Sequence, residues 1–416
     1  VVDNAASDGK DAPPRQGWRA RTALLTLGAF AVGTDGYVIV GLLPQINNTL
    51  HVSSAASGQL VSVFALVYAI LSPVLAAVTG KWPRQRVLVA GLLLLAAGNA
   101  VTALADDYGL VLASRILAGS GAALFTASAV ATAAYLAPGE RRGSAIAMVT
   151  AGSTLSLVLG APLGTVIGNQ WGWHAAIWFI AGIAGVVAAA IATLLPNISV
   201  GQAVPLRQRL VPLADRRVLK VLAVTLLAFV GIFLPFTYMS AIFAPATGGS
   251  QDRLALLLMV FGIAATAGNL TAGRLADRFN ARIVVVLATL CITLVFLAML
   301  AARGTFTLVV VLEAVAGFVC FSVIGPQQHR IIDYAPEGGA PLVTSLNLST
   351  AYLGNFASSV LGAVILSTAS SAAFVLPVAA AFALAACLIA MWTARSAGAT
   401  GGNPAEENRS ATATAK

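Results

Sequence analysis

Charge is what this 416-residue sequence has least of: only 9% of its residues are Asp, Glu, Lys or Arg, against roughly 25% in an ordinary water-soluble domain. With 58% hydrophobic residues and a mean hydropathy of +0.89, water cannot be the solvent for most of its surface. Histidine is scarcer still. The three residues, His51, His174 and His329, read as turn positions far apart along the chain. They assemble neither a nucleophile with its base nor a metal cluster, so an integral-membrane enzyme finds no support. The three cysteines, Cys291, Cys320 and Cys387, lie inside apolar segments without metal-ligand spacing, so zinc, disulfides and redox chemistry are not expected, and no cofactor is implied. A Gly-x-x-x-x-Gly-Lys-Ser/Thr phosphate loop is absent too, which excludes an ATP-driven pump within this chain. Residues 1–20 carry Asp3, Lys10, Asp11 and Arg15 and no apolar run, so no cleavable signal peptide is expected.

What fills the sequence instead is a series of apolar runs of roughly 18 to 25 residues, each long enough to cross a bilayer as a helix. There are twelve, near 21–43, 58–79, 87–105, 109–135, 144–167, 175–195, 219–243, 254–276, 282–302, 306–325, 341–366 and 374–394. Of the 24 lysines and arginines, all but three fall in the two tails, the central loop and the even-numbered turns. Arg253 and Arg303 occupy the opposite turns, and Arg115 lies within a span. This asymmetry predicts cytoplasmic termini in a multi-pass protein of the cell inner membrane. It also accounts for the net charge of +9 through contact with the bilayer, so no nucleic-acid partner is needed. Trp18, Trp82 and Trp392 at inner helix ends, and Trp171 and Trp173 at an outer end, read as interface belts. The expected organisation is a tail over 1–20, a six-helix half over 21–195, a cytoplasmic loop over 196–218, a second six-helix half over 219–394 and a disordered Ala/Thr/Gly/Glu-rich tail over 395–416.

The two halves align at a constant offset. Arg115-Ile-Leu-Ala-Gly119 corresponds to Glu313-Ala-Val-Ala-Gly317, and Ala137-Pro138 to Ala335-Pro336, both 198 residues on; Lys81 corresponds to Arg278 at 197. Chance gives one such match more readily than three in register. Two pseudo-symmetric six-helix halves with a site at their interface is the plan of many secondary transporters.

Three charges sit deep in the apolar spans: Asp35, Arg115 and Glu313. On insertion scales each costs roughly 2.5 to 3.5 kcal/mol at mid-membrane, so residues retained there generally have a function. Counted along their spans they fall at a similar depth and can meet. An Asp35–Arg115 ion pair would offset much of the cost; the alternative is Arg115 snorkelling or bonding carbonyls of span five. Glu313 has no basic partner in the spans of its own half and is expected to exchange protons, or else to line water near the outer mouth. All three are candidates for proton coupling.

The turn between spans eight and nine reads Gly273-Arg274-Leu275-Ala276-Asp277-Arg278-Phe279-Asn280-Ala281-Arg282. It resembles the G-x-L-A-D-R-x-G-R-R signature of the Major Facilitator Superfamily, with Asn280 where the second glycine usually stands. The resemblance implies that Gly273, Asp277, Arg278 and Arg282 form a latch closing the cytoplasmic gate. The matching turn of the first half, Thr79-Gly80-Lys81-Trp82-Pro83-Arg84, has Gly80 where the carboxylate belongs. Span five carries Gly152 and then Gly160-Ala161-Pro162-Leu163-Gly164, similar to the Gly/Pro signature of this superfamily's antiporters, which permits bending and close helix packing. Together with Gly33-Thr34-Asp35-Gly36-Tyr37, Gly41-Leu42-Leu43-Pro44 and Trp171-Gly172-Trp173, the pattern resembles the twelve-span drug:proton antiporter group over nearly the whole chain. It implies an all-α membrane fold and a monomer that carries a small molecule against protons. In that fold spans one, seven and eleven line the cavity, which makes Tyr37, Phe236, Tyr238, Asn347, Tyr352 and Asn355 candidates for stacking on and hydrogen-bonding a drug-sized ligand. Export of a small organic molecule, a drug-like compound or a metabolite, from the cytoplasm in exchange for protons is therefore the expected function, with multidrug resistance as its expected setting. A proton-coupled importer, or a sugar or nucleoside efflux permease of the same fold, is the alternative.

Overall fold

The computed structural model describes residues 17–198, 206–278, 280–335 and 339–398, leaving aside the side chains of Asp277, Pro341 and 394–398. Among the described residues, twelve helices are long and apolar enough to span a membrane. In order they are α1 (Trp18–Leu50), α2 (Ser54–Val78), α3 (Arg84–Leu104), α4 (Tyr108–Leu136), α5 (Arg142–Trp171), α6 (Trp173–Leu194), α7 (Arg216–Thr237), α8 (Gln251–Arg278), α9 (Ala281–Ala302), α10 (Phe306–Ile332), α11 (Ala340–Thr368) and α12 (Val375–Gly398). We call the face holding the starts of α1 and α7 the terminal face and the other the distal face. Polar side chains close several helix starts: Ser53 Oγ accepts from Ala56 N at 3.2 Å, Asp107 Oδ2 from Leu110 N at 2.9 Å and Asp215 Oδ1 from Arg217 N at 2.7 Å. Each such cap contributes about 1 kcal/mol.

Several boundaries differ from the hydropathy reading, each for a local reason. The first helix starts at Trp18, inside the stretch read as tail, and the seventh at Arg216, inside the stretch read as loop. Arginines at a helix end extend along the apolar surface towards water, so charge there does not end a helix. Helix α1 also passes through Pro44 to end at Leu50, where His51 turns into the left-handed region at φ 53°. A membrane helix tolerates an internal proline because neighbouring helices satisfy the freed carbonyl. The seventh span was expected to reach 243, but α7 ends at Thr237, two residues after Pro235, and the chain continues as the short turns Met239–Ile242 and Ala244–Thr247. Trp173 is not at an interface: it is buried and stacked on His174, itself the second residue of α6, with ring centroids 3.7 Å apart.

Small residues set how the helices approach. On α5, Gly152, Ser156, Gly160, Gly164 and Gly168 recur every fourth position and so form one stripe. A Cβ added at Gly152, Gly160, Gly164 or Gly168 would overlap, respectively, Thr26, Thr34, Val38 or Leu42, which march at the same interval along α1. In the middle of α5 the helix widens to a π turn over Ser156–Gly160, where Ala161 N–H reaches back to Ser156 O. Pro162 follows and has no N–H to continue the ladder, which is where such an irregularity is least costly. The two halves join through α2 against α11 and through α8 against α5. The second contact runs along the distal part, 156–171, and hardly at all along Arg142–Leu155.

Candidate functional site

Because Thr34 faces Gly160 of α5, Asp35, one residue further round α1, turns towards α4. There it meets Arg115. The guanidinium grips the carboxylate with both arms, Nη1 donating to Oδ1 at 2.9 Å and Nη2 to Oδ2 at 3.2 Å, while Nη2 also lies 3.5 Å from the Asp35 carbonyl. Both side chains are sealed from solvent, at 0% and 1% exposure. Phe64 of α2 lies beside the guanidinium, its ring centroid 4.9 Å from Cζ, close enough for a cation–π contact. That contact needs α2 and α4 to approach closely, and Gly119 allows it: a Cβ there would sit 3.0 Å from Phe64 O. Two-armed geometry is the strongest arrangement of an Arg–carboxylate pair, and it is what makes burial of both charges tolerable. Of the two fates open to Arg115 in the sequence, the carboxylate is its partner, and among the described residues the carbonyl it reaches is that of Asp35 itself.

Glu313 does not join them. It is buried on α10, and among the described residues it forms no hydrogen bond and no ion pair; Arg115–Asp35 is the one ion pair described. Asp35 and Arg115 share a depth, as their contact requires, although α1 continues 15 residues beyond Asp35 while Arg115 is seven residues into α4.

The aromatic candidates gather at the junction of the halves. Tyr37 is parallel to Phe233 at 6.5 Å and edge-on to Phe236 at 6.0 Å, and Phe236 lies 5.2 Å from Phe261 of α8. Tyr352 of α11 stacks on Tyr68 of α2 at 3.7 Å. Tyr238 is committed to structure: its hydroxyl donates to Ser359 O at 2.6 Å, Ser359 Oγ donates to Gly58 O at 2.6 Å, and the ring fills the space that a Cβ on Gly58 or Gly362 would need. Asn347 Oδ1 accepts from Thr225 Oγ1 at 2.7 Å, whereas Asn355 Oδ1 is buried without a partner among the described residues.

At the terminal face, Asn280 caps α9 by accepting from Arg282 N at 2.9 Å, a role that explains an amide where a glycine was expected. Arg282 donates to Tyr334 Oη at 2.9 Å and Arg278 is exposed; Gly273 lies within α8, and the Asp277 side chain lies outside what is described. Sequence reasoning missed a second buried arginine. Arg330 read as one more cation of a cytoplasmic turn, yet it lies inside α10, 3% exposed, donating to Gln327 Oε1 at 2.8 Å and Thr393 Oγ1 at 3.0 Å. The apolar positions Ile324, Ile331 and Ile332 around it were the available signal that the helix continues.

Two six-helix halves, with a gripped ion pair deep in the first and aromatic and amide groups at their seam, follow the plan of many secondary transporters. The chain belongs to the Major Facilitator Superfamily, whose model matches residues 25–247 and 221–415. Among its relatives, the uncharacterized MFS-type transporter YbcL of Bacillus subtilis is 32% identical over 328 residues, covering 78% of this chain and 83% of the relative. The chloramphenicol resistance protein of Streptomyces lividans is 31% identical over 323 residues, 76% of this chain and 81% of its own. The inner membrane transport protein YdhP of Escherichia coli K12 is 28% identical over 372 residues, 89% and 95% of the two chains. The protein is thus a multi-pass membrane transporter of small molecules with the fold of that superfamily.

Proposed function

We propose that this transporter exports a small, drug-like organic molecule from the cytoplasm in exchange for protons, by alternating access. The observation that carries the reading is the buried two-armed Asp35–Arg115 pair. A proton arriving on Asp35 removes the charge that Arg115 grips, so the link between α1 and α4 loosens as the proton binds and tightens as it leaves. Glu313, buried without an ionic partner, is a second group able to take a proton. One proton moved inward down 100 mV supplies about 2.3 kcal/mol, enough for roughly a fiftyfold gradient of a neutral substrate.

The terminal face is taken as cytoplasmic, from the distribution of Lys and Arg, and the membrane as the cell inner membrane. On that assignment the close packing of α8 on the distal part of α5 seals the outer side, and the structure corresponds to an inward-facing state of a monomer. Asp277, Arg278 and Arg282 would then latch the inner side when the outer one opens. Tyr37, Phe236, Tyr352, Asn347 and Asn355 would receive the substrate, with Tyr238 clasping the outer seam. A relative carrying the printed name of a chloramphenicol resistance protein supports chloramphenicol as the first compound to test. Uptake into energised everted vesicles measures export directly: the wild type should accumulate chloramphenicol when the proton gradient is applied and lose it when the gradient is collapsed. Asp35→Asn should insert normally and show no gradient-driven uptake. Full pH-gradient-driven transport by that variant would remove Asp35 from the coupling.

A further inference from the structure

One buried chain of hydrogen bonds in the C-terminal half has a direction. Arg330 can only donate, so the Gln327 atom that meets Nη1 at 2.8 Å must be its oxygen. The other end of the same amide is then nitrogen, and independent contact agrees: it lies 3.2 Å from the Val221 carbonyl, which can only accept. Gln327 Nε2 also donates to Thr225 Oγ1 at 2.9 Å. The usual acceptor for a helical threonine hydroxyl is the carbonyl four residues back, here Val221, and that carbonyl is taken by Gln327. The Thr225 proton therefore points to Asn347, 2.7 Å away, and the Asn347 atom receiving it is Oδ1. What remains of Asn347 is its NH2 group. It bonds to none of the described residues and is not sealed off. Asn347 immediately precedes Leu348 and lies five residues before Tyr352, both packed on the core of the N-terminal half, and so belongs to a helix that borders the seam where a two-half transporter presents its site.

We infer that Asn347 presents the transported molecule with a donor and no acceptor, and that Arg330 is the positioning residue that sets this polarity through Gln327 and Thr225. The inference rests on the seam being the substrate site, as proposed above, and it names the ligand class: molecules carrying a carbonyl, nitro or comparable acceptor oxygen. Ordinarily an asparagine turns over to suit its ligand. Here turning would set its NH2 against a threonine proton already committed in that direction, so the site discriminates acceptors from donors.

Everted vesicles provide the test, with chloramphenicol as the acceptor-bearing probe and tetraphenylphosphonium, which has no acceptor, as the comparison. Asn347→Ala and Thr225→Val should raise the KM for chloramphenicol about five- to tenfold with kcat retained, and leave tetraphenylphosphonium unaffected. Gln327→Glu puts an acceptor against both Arg330 and Thr225. The threonine proton then turns to the new carboxylate, Asn347 donates to Thr225 and offers its oxygen to the site, and chloramphenicol should suffer as it does in Asn347→Ala. Arg330→Lys, which still donates, should restore a KM near that of the wild type. Equal losses for both compounds, or an unchanged chloramphenicol KM in Gln327→Glu and Asn347→Ala, would overturn the inference. If the wild type carries neither compound in either direction, the export reading fails, and the inference is decided by thermal unfolding of the purified protein with chloramphenicol. A stabilisation lost in Asn347→Ala and in Gln327→Glu would uphold it, and the absence of that difference would refute it.

Discussion

The two halves descend from one backbone plan but handle buried charge in opposite ways. In the N-terminal half, Arg115 and Asp35 come from different helices and close on each other. In the C-terminal half, Glu313 and Arg330 both belong to α10, 17 residues or roughly 25 Å apart along the helix, and do not meet. The backbone correspondence is nonetheless close. Gly119 faces the carbonyl of Phe64 in the first half and Gly317 that of Phe261 in the second, 198 and 197 residues on. The lesson is that the repeat preserves helix approach while leaving chemistry free to diverge, so that the same position holds Arg115 in one half and Glu313 in the other. One half carries a pair whose two charges sustain each other; among the described residues the other carries an unpaired carboxyl and an arginine whose Nη1 and Nη2 donate to neutral groups.

The largest expected effect comes from breaking the closed pair. Arg115→Met leaves Asp35 buried alone and should cost about 3 to 5 kcal/mol in thermal or denaturant unfolding of the purified protein. The double variant Asp35→Asn with Arg115→Met should recover most of that stability while remaining unable to export. A double variant no more stable than the single one would mean that the pair is not what Arg115 contributes.

The shared helix approach can be sharpened next. An alanine Cβ at Gly317 would overlap the Phe261 carbonyl, whereas at Gly119 it would sit 3.0 Å from that of Phe64, a gap that small shifts can relieve. Gly317→Ala should therefore destabilise by about 1 to 3 kcal/mol, and Gly119→Ala by less. Similar losses in both would show that the halves are packed equally tightly there.

Glu313→Gln tests the unpaired side. It should leave folding nearly unchanged, because no partner is lost, and weaken export of cationic compounds more than neutral ones by a fewfold factor. Equal loss for both classes, or none, would count against a part in selectivity. The smallest effect is expected at the terminal face, where the second half has Asp277 and the first has Gly80, whose carbonyl accepts from Arg84 Nη2 at 3.2 Å. Asp277→Asn should modestly raise cysteine labelling of the cytoplasmic cavity by favouring the inward-facing state. Unchanged labelling would make Asp277 a surface charge with no latch function.

Much of this molecule is legible in the sequence. Twelve apolar runs, the basic asymmetry, the 198-residue offset and the three intramembrane charges all follow from properties that a helix carries by itself: hydropathy summed along its length and the cost of a charge at a given depth. Those properties determined a twelve-helix, two-half membrane protein and drew attention to Asp35, Arg115 and Glu313, and the motif resemblance added transport. Which charges meet was a different matter. Each residue turns a helix by about 100°, so whether Asp35 faces α4 or lipid depends on how α1 is rotated, and that rotation is set by the glycine stripe of α5 against Thr34, Val38 and Leu42. The same reasoning applies to Arg330, which reads as a turn cation although α10 runs on to Ile332, and to Tyr238, whose hydroxyl is taken up by Ser359 of another helix. The sequence by itself determined what each helix is and how deep its charges lie. Tertiary structure alone decided which groups pair, because pairing depends on the mutual rotation of helices far apart in sequence, which no single helix carries.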